Sequence, residues 1–195
     1  LGLGRAPGSD QITAIALRRA ANADTFPQDV VELLAFLREP APGQKVRAIP
    51  GAGLNVPVWI LGSSLFGAQL AAELGLPYAF ASHFAPAQML QAIEVYRSRF
   101  KPSEYLDRSR LMLGVNAVVA DSREDARRLF TSHQQVFLAL RRGQLGPLPP
   151  PIDPDWFDAQ LTPLERAELQ HTLSSAMVGT PLAVRQHLAD FLGPT

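Results

Sequence analysis

A turn that could bind a phosphate group lies at residues 62–67, with the sequence Gly-Ser-Ser-Leu-Phe-Gly. A nearly all-apolar run precedes it at 56–61, and a helical pattern follows it. Backbone N–H groups at a helix N-terminus are unpaired and carry the positive end of the helix dipole, so they favour anions. The hydroxyls of Ser63 and Ser64 could add hydrogen bonds, and Gly67 would permit close approach of a ligand or a strand. The structural alternative is simple N-capping by a serine.

Arg5 is a second group suited to phosphate, because its guanidinium can form paired hydrogen bonds to an oxyanion. It follows the short apolar segment 1–4, and its alternative role is a surface ion pair or a solvated side chain. Segment 1–8 also approaches the Gly-x-Gly-x-x-Gly pattern of dinucleotide-binding folds. The third glycine, Gly8, is one residue late and Pro7 stands where the helix should begin. A Rossmann-type dehydrogenase is therefore disfavoured.

His83 is the histidine that falls at a predicted strand end, where it could act as an acid, a base or a substrate contact. The alternative is a structural histidine with satisfied hydrogen bonds. The other three, His133, His171 and His187, fall in predicted helices without metal-ligand spacing. The chain contains no cysteine, which excludes disulfides and cysteine-based metal sites. We therefore predict no metal site.

The elements that must position these residues alternate along the chain. Buried strands are predicted at 1–4, 56–61, 77–81 and 111–120. Helices are predicted after Thr25, at 65–74 with Gly75 as the C′ residue, after Pro86, after Ser122, after Thr162 and after Thr180. This alternation predicts an α/β fold with a parallel sheet, and a doubly wound sheet and a (β/α)₈ barrel both fit. A whole barrel typically needs about 250 residues, so a single domain over 1–195 would hold only part of one.

Composition narrows the class of protein further. Acidic and basic residues balance at 18 each, which gives no reason to expect a nucleic-acid partner. No apolar run reaches the roughly 18–20 residues that a membrane span needs, so we predict no membrane association. The lack of cysteine is compatible with the cytoplasmic location that we predict.

Three long segments resemble one family of bacterial enzymes. They are LGLGRAPGSDQ at 1–11, VPVWILGSSLFGAQLAAELGLPYAFASHFAP at 56–86 and VGTPLAVRQHL at 178–188. Together they are similar to the luciferase-like flavin-dependent monooxygenases. The resemblance implies a (β/α)₈ TIM barrel that binds FMN at its C-terminal mouth. It also implies that reduced flavin and O₂ oxidise a small organic substrate, with a separate reductase often supplying the flavin.

The resemblance assigns roles to particular residues. Members hold the FMN phosphate with an arginine after the fourth strand and a serine-containing turn after the fifth. The matching positions here are Arg5, Gly62, Ser63, Ser64, Leu65 and Gly67. The chain would then lack about the first three strands of the barrel and the last one, which is expected after Thr195. Light-emitting members carry an acidic residue where this chain has Gly62, so the resemblance does not extend to light emission.

Catalytic residues stay unknown, because the histidine that matters in true luciferases belongs to the absent N-terminal part; His83 is the candidate that this chain offers. We expect Phe80, His83, Phe84 and the proline-rich segment 147–154 to line a substrate pocket. One alternative is a deazaflavin-dependent oxidoreductase that transfers hydride in the same barrel. Another is a non-catalytic truncated relative that acts as an interaction module. The open strand edges of a partial barrel predict a homo-oligomer.

Overall fold

The computed structural model describes residues 1–5, 15–16, 25–144 and 146–193. The chain divides into two compact units. The first comprises Leu1–Phe80 and Gln91–Met112, and the second comprises Ala81–Leu90 and Leu113–Thr195. The single domain expected over 1–195 stays a prediction beside this division.

The first unit is built on a sheet whose strands alternate with helices. Its described elements are β1 (Gly2–Leu3), α1 (Phe26–Leu37), β2 (Trp59–Gly62), α2 (Leu65–Leu74), β3 (Tyr78–Phe80), most of α3 (Met89–Arg99) and most of β4 (Leu111–Leu113). The strand order is β1-β2-β3-β4. Leu3 pairs with Ile60, and Ile60 pairs with Tyr78, both in parallel register. This arrangement confirms the predicted parallel α/β fold class.

Small side chains bring α2 close to the sheet of the first unit. Ala68, Ala71 and Ala72 are 0% exposed, as are Ile60 and Tyr78 in the strands. The bounds predicted for this helix are confirmed, and Gly75 ends it in the left-handed conformation expected of a C′ glycine. The buried face of α2 therefore packs against the sheet, and the helix starts three residues after the end of β2.

The second unit contains a smaller parallel pair and a helical layer. Its described elements are β5 (Ala117–Val119), α4 (Arg123–Arg141), α5 (Pro154–Ala159), α6 (Pro163–Thr172), β6 (Met177–Gly179) and α7 (Pro181–Leu192). A 3₁₀ turn at Pro86–Gln88 precedes α3. Val118 pairs with Val178 in parallel register. The helical core is apolar and consists of Phe137, Leu138, Phe157, Leu161, Leu169 and Leu173. The helix starts predicted at Ser122, Thr162 and Thr180 are confirmed by side-chain capping bonds.

The strand predicted over 111–120 is wrong as one element. It is two short strands in different sheets, separated by residues 114–116. Between the two strands, side-chain hydrogen bonds join this segment to the loop at residues 82–83. Ser82 Oγ donates to the Gly114 carbonyl at 2.6 Å, and Asn116 Nδ2 donates to the His83 carbonyl at 3.1 Å.

Two expectations for the strand at 56–61 were wrong. The strand predicted at 56–61 begins only at Trp59, since Pro57 has no N–H to donate to the ladder. One face of that strand is open, because Leu61 is exposed. Sequence analysis also missed the strand Met177–Gly179, which directly precedes α7, and the six-residue helix Pro154–Ala159. Both elements are too short to show a hydrophobic period.

Candidate functional site

The predicted phosphate turn joins β2 to α2 in the first unit. Gly62 ends the strand, Ser64 is the N-cap residue in an extended conformation, and Leu65 begins the helix. The Ser64 side chain makes no capping hydrogen bond, and the first turn of α2 contains no acidic residue. Ser63 is exposed, and Ser64 and Leu65 are half-buried. The donors at this helix start are thus without the side-chain acceptor that a capping serine would supply.

Four other described helices begin differently. In α4, α5, α6 and α7, the side chains of Ser122, Asp153, Thr162 and Thr180 each accept a hydrogen bond from a backbone N–H of the first turn. In α6, Glu165 returns the bond to complete a capping box. The pKa of Glu165 is lowered to about 2 by the backbone N–H of Thr162 and by the side chains of Arg142 and Thr162. Side chains of the protein itself therefore cap these four helix N-termini.

The two glycines of the turn allow a close approach of backbone to Tyr78. A Cβ atom added to Gly67 would lie 3.1 Å from Tyr78 Cε2 and 3.5 Å from the Gly62 Cα. One added to Gly62 would lie 3.4 Å from the Tyr78 hydroxyl oxygen. Glycine at both positions therefore lets the turn fold down onto the ring.

Arg5 lies beside this turn. Its guanidinium carbon is 3.8 Å from the centroid of the Phe66 ring, which belongs to the first turn of α2. This is cation–π geometry, and Arg5 makes no ion pair with any other described residue. The structure thus brings together the arginine and the serine turn, as the family resemblance implies. Phe66 was missed as their link, because no sequence signal connects it to a residue 61 positions away.

His83 lies in the second unit, on a loop whose backbone is held by side chains. Ser82 is fully buried, its carbonyl accepts a hydrogen bond from Ser175 Oγ at 2.9 Å, and the His83 carbonyl accepts one from Asn116. His83 Nδ1 is buried without a hydrogen-bond partner and packs against Gly114, where a Cβ atom would collide with it. The hydrogen bonds to the loop carbonyls and the contact with Gly114 therefore fix the position of His83.

A second histidine, His133 on α4, joins this region. Its Nε2 is also buried without a partner, and its ring lies 4.8 Å from that of Phe137. Burial, and to a lesser degree the charge of His83, lowers the pKa of His133. Phe84 is 50% exposed and its ring lies 6.0 Å from that of Phe137. The i,i+4 spacing of His133 and Phe137 predicts that both lie on one helix face, and the structure confirms this; nothing in the sequence indicated that His133 lies near His83.

The remaining pocket residues are placed as follows. Phe80 is 1% exposed and packs edge-on against Tyr78 in the core of the first unit, with ring centroids 6.3 Å apart. In the proline-rich segment 147–154, Pro154 begins α5, and the Thr131 hydroxyl accepts a hydrogen bond from the Ile152 N–H at 2.9 Å. Their contribution to a substrate pocket stays a prediction.

The described residues offer neither a metal-binding cluster nor a membrane-spanning helix. They contain no group of three or more histidine, cysteine, aspartate or glutamate residues placed to hold a metal ion. None of the helices among them is both long and apolar enough to cross a membrane.

Comparison with known proteins places the chain in a family. The family described as luciferase-like monooxygenase matches residues 1–193. A luciferase-like monooxygenase of Escherichia coli (strain K12) is 51% identical over 197 residues, covering 100% of this chain and 58% of the relative. The chain therefore belongs to the luciferase-like monooxygenase family, as the sequence motifs predicted. It spans about 58% of the length of this relative.

Solved structures agree on the fold. The crystal structure of apo-MsnO8 superposes with a TM-score of 0.81 at 29% identity, covering 100% of this chain and 58% of that one. The coenzyme F420-dependent tetrahydromethanopterin reductase of Methanopyrus kandleri gives 0.59 at 10% identity, covering 99% and 65%. The second likeness concerns the fold alone. Together with the family match, these likenesses confirm that the chain is part of a TIM-barrel protein.

Proposed function

We propose that the protein binds FMN, with the phosphate held by the turn at 62–67 and by Arg5. In the full-length protein, reduced FMN and O₂ would oxidise a small organic substrate. Family membership supports the class of reaction, and the site geometry in the first unit supports the cofactor. A separate flavin reductase and self-association into a homo-oligomer belong to the same proposal.

One observation carries the proposal: Arg5 lies on Phe66 beside a helix start that its own serine leaves uncapped. The stacking places a permanent positive charge next to the positive end of α2, an arrangement that a bound anion would stabilise. A structural arginine is instead expected to pair with a carboxylate, as Arg38 does with Glu104.

The available donors fit a phosphate group. The Leu65 N–H and the following amides lie at the helix start, the hydroxyls of Ser63 and Ser64 flank them, and the Arg5 guanidinium can form two parallel bonds. Gly67 keeps the first turn free of a side chain at its closest approach to the sheet. The set contains only neutral or positive groups, as a phosphate dianion requires.

When bound, the flavin would supply the oxidation chemistry. The residues of this chain would fix the phosphate end of the cofactor and thereby set the position of the ring. His83 and Phe84, on their hydrogen-bonded loop in the second unit, are our candidates for contacting the substrate and excluding water, with the segment 147–154 of the same unit as a further candidate for the apolar wall.

The test is a titration of the full-length gene product with FMN, riboflavin and a deazaflavin, followed by flavin fluorescence. Riboflavin carries the same ring as FMN without the phosphate, so a built phosphate site predicts clearly tighter binding of FMN. Equal affinity for FMN and riboflavin would contradict the phosphate site. Failure to bind any flavin would favour the non-catalytic alternative.

The reaction can be tested separately. Under isotopically labelled O₂ with reduced FMN, a substrate of the full-length protein should gain one labelled oxygen atom. Preference for the deazaflavin, together with hydride transfer that needs no O₂, would instead support the alternative oxidoreductase. The fold likeness to an F420-dependent reductase makes this comparison necessary but does not decide it.

A further inference from the structure

Tyr78 lies directly beneath the turn at 62–67. Its side chain is fully buried at the start of β3, and its hydroxyl donates a hydrogen bond of 3.2 Å to the Ser64 carbonyl. Its ring also forms the surface on which Gly62 and Gly67 pack. No role in ligand binding follows from its sequence, where it appears as one apolar residue of a buried strand.

The hydrogen bond to Ser64 has a directional consequence. The Ser64 carbonyl and the Leu65 N–H belong to one planar trans peptide, so they point in opposite directions. A donor that holds the carbonyl on the sheet side therefore holds the N–H on the opposite side, toward the open helix start. Burial raises the pKa of Tyr78 to about 12, so its hydroxyl keeps the proton that it donates.

We propose that Tyr78 is a positioning residue for the phosphate site, acting through the Ser64–Leu65 peptide and the two glycines of the turn. This inference rests on the proposed function. In this proposal Tyr78 does not contact the phosphate. It orients the Leu65 N–H, which donates to the phosphate. The alternative is a core tyrosine with no effect on ligand preference.

Tyr96 offers a matched control in the same unit. It is equally buried, its ring lies 5.4 Å from that of Tyr78, and its hydroxyl donates to the Leu76 carbonyl at 2.9 Å. It also accepts a hydrogen bond from the Arg110 N–H at 3.0 Å. None of its hydrogen bonds involves the turn, so Tyr96→Phe removes a buried phenol hydroxyl without altering the Ser64 peptide.

The experiment compares FMN and riboflavin affinities for full-length wild type, Tyr78→Phe and Tyr96→Phe. We expect Tyr78→Phe to weaken FMN binding roughly 2- to 10-fold, the value of one hydrogen bond, and to leave riboflavin binding unchanged. Tyr96→Phe should leave the FMN-to-riboflavin ratio at its wild-type value. If Tyr78→Phe fails to fold, Gly67→Ala carries the test, because its Cβ would press the turn away from the Tyr78 ring.

The outcomes separate the two proposals. Wild-type preference for FMN with an unchanged ratio in Tyr78→Phe would overturn the positioning role and leave the phosphate site standing. Parallel losses for FMN and riboflavin would also overturn it, since they indicate general loosening. A wild-type protein that does not distinguish FMN from riboflavin would overturn the phosphate site and the role of Tyr78 together.

Discussion

The two units differ in how they satisfy backbone polar groups beside their strands. In the first unit, Ser64 leaves the start of α2 uncapped, and Arg5 rests on an aromatic ring instead of a carboxylate. In the second unit, side chains of Asn116 and Ser175 bond the carbonyls of the loop that carries His83. Exposed hydrogen-bond donors that have no partner within the protein indicate where an external ligand can bind. Groups that the protein satisfies internally indicate where a side chain is held in place.

Removal of the Arg5 side chain should cause the largest change, a loss of FMN affinity. We expect Arg5→Ala in the full-length protein to weaken FMN binding roughly 10- to 100-fold, because a charge-assisted hydrogen bond contributes about 1.5–3 kcal/mol. Riboflavin affinity should change little. Fluorescence titration gives both values. Arg38→Ala is the control, since Arg38 also lies over an aromatic ring, that of Tyr105, but is paired with Glu104. Equal losses in both variants would remove Arg5 from the site.

Gly114 tests whether packing holds the loop of the second unit. Gly114→Ala should destabilise the full-length protein by about 1–3 kcal/mol, because the added methyl group collides with His83 in a filled space. Urea unfolding measures the change. Adding His83→Ala should recover most of the loss, whereas Gly146→Ala, at a position with open space around it, should be nearly neutral. A double variant as unstable as Gly114→Ala alone would refute the contact.

The two serines at helix starts should respond in opposite ways. Ser122→Ala should cost about 1 kcal/mol of stability by removing a capping bond and should leave FMN binding intact. Ser64→Ala should change stability by less than about 0.5 kcal/mol, since no capping bond is lost, and should weaken FMN binding. Denaturation and titration of the same two variants provide the measurements. A stability loss for Ser64→Ala as large as that for Ser122→Ala would mean that Ser64 is an ordinary cap.

The smallest expected effect is the contribution of His133 to the pH dependence of stability. Its folded-state pKa is lowered below the ordinary value of 6.5, so the unfolded chain takes up a proton first as the pH falls. The free energy of unfolding should therefore decrease from about pH 6.5 downward until the folded-state pKa is reached. Replacing His133 with Phe, beside Phe130 and Phe137, should flatten this part of the stability profile. An unchanged slope would show that His133 is not buried as described.

Predictions based on local chemistry held. The bounds 65–74, the C′ role of Gly75 and the caps at Ser122 and Thr162 depend on residues within one or two helical turns, and the structure confirms each of them. Arg5 and the turn at 62–67 were also identified correctly as strand-end groups. Their use for phosphate is still a proposal.

Features that depend on contacts between residues far apart in the sequence were predicted wrongly or not predicted at all. The apolar run 111–120 has the composition of one strand but forms two in different sheets, and the residues between them bond to Ser82 and His83, about 30 residues away. His133 and Tyr78 showed no functional signal, because their importance depends on contacts with other segments of the chain. Composition and periodicity indicate which secondary structure a segment can form. They do not indicate which other segments it will contact in the folded protein.

The sequence by itself determined the alternation of helices and strands, the family, and the presence of phosphate-competent groups after two separate strands. These follow from burial periodicity, capping chemistry and long motifs, which are properties of contiguous residues. Only the tertiary structure decided that Arg5 lies over Phe66, that the Tyr78 hydroxyl donates to the Ser64 carbonyl, and that the Ser64 side chain does not cap α2. The physical reason is that parallel pairing brings β1, β2 and β3 side by side, so Arg5 and Tyr78, 73 positions apart, both lie at the turn 62–67.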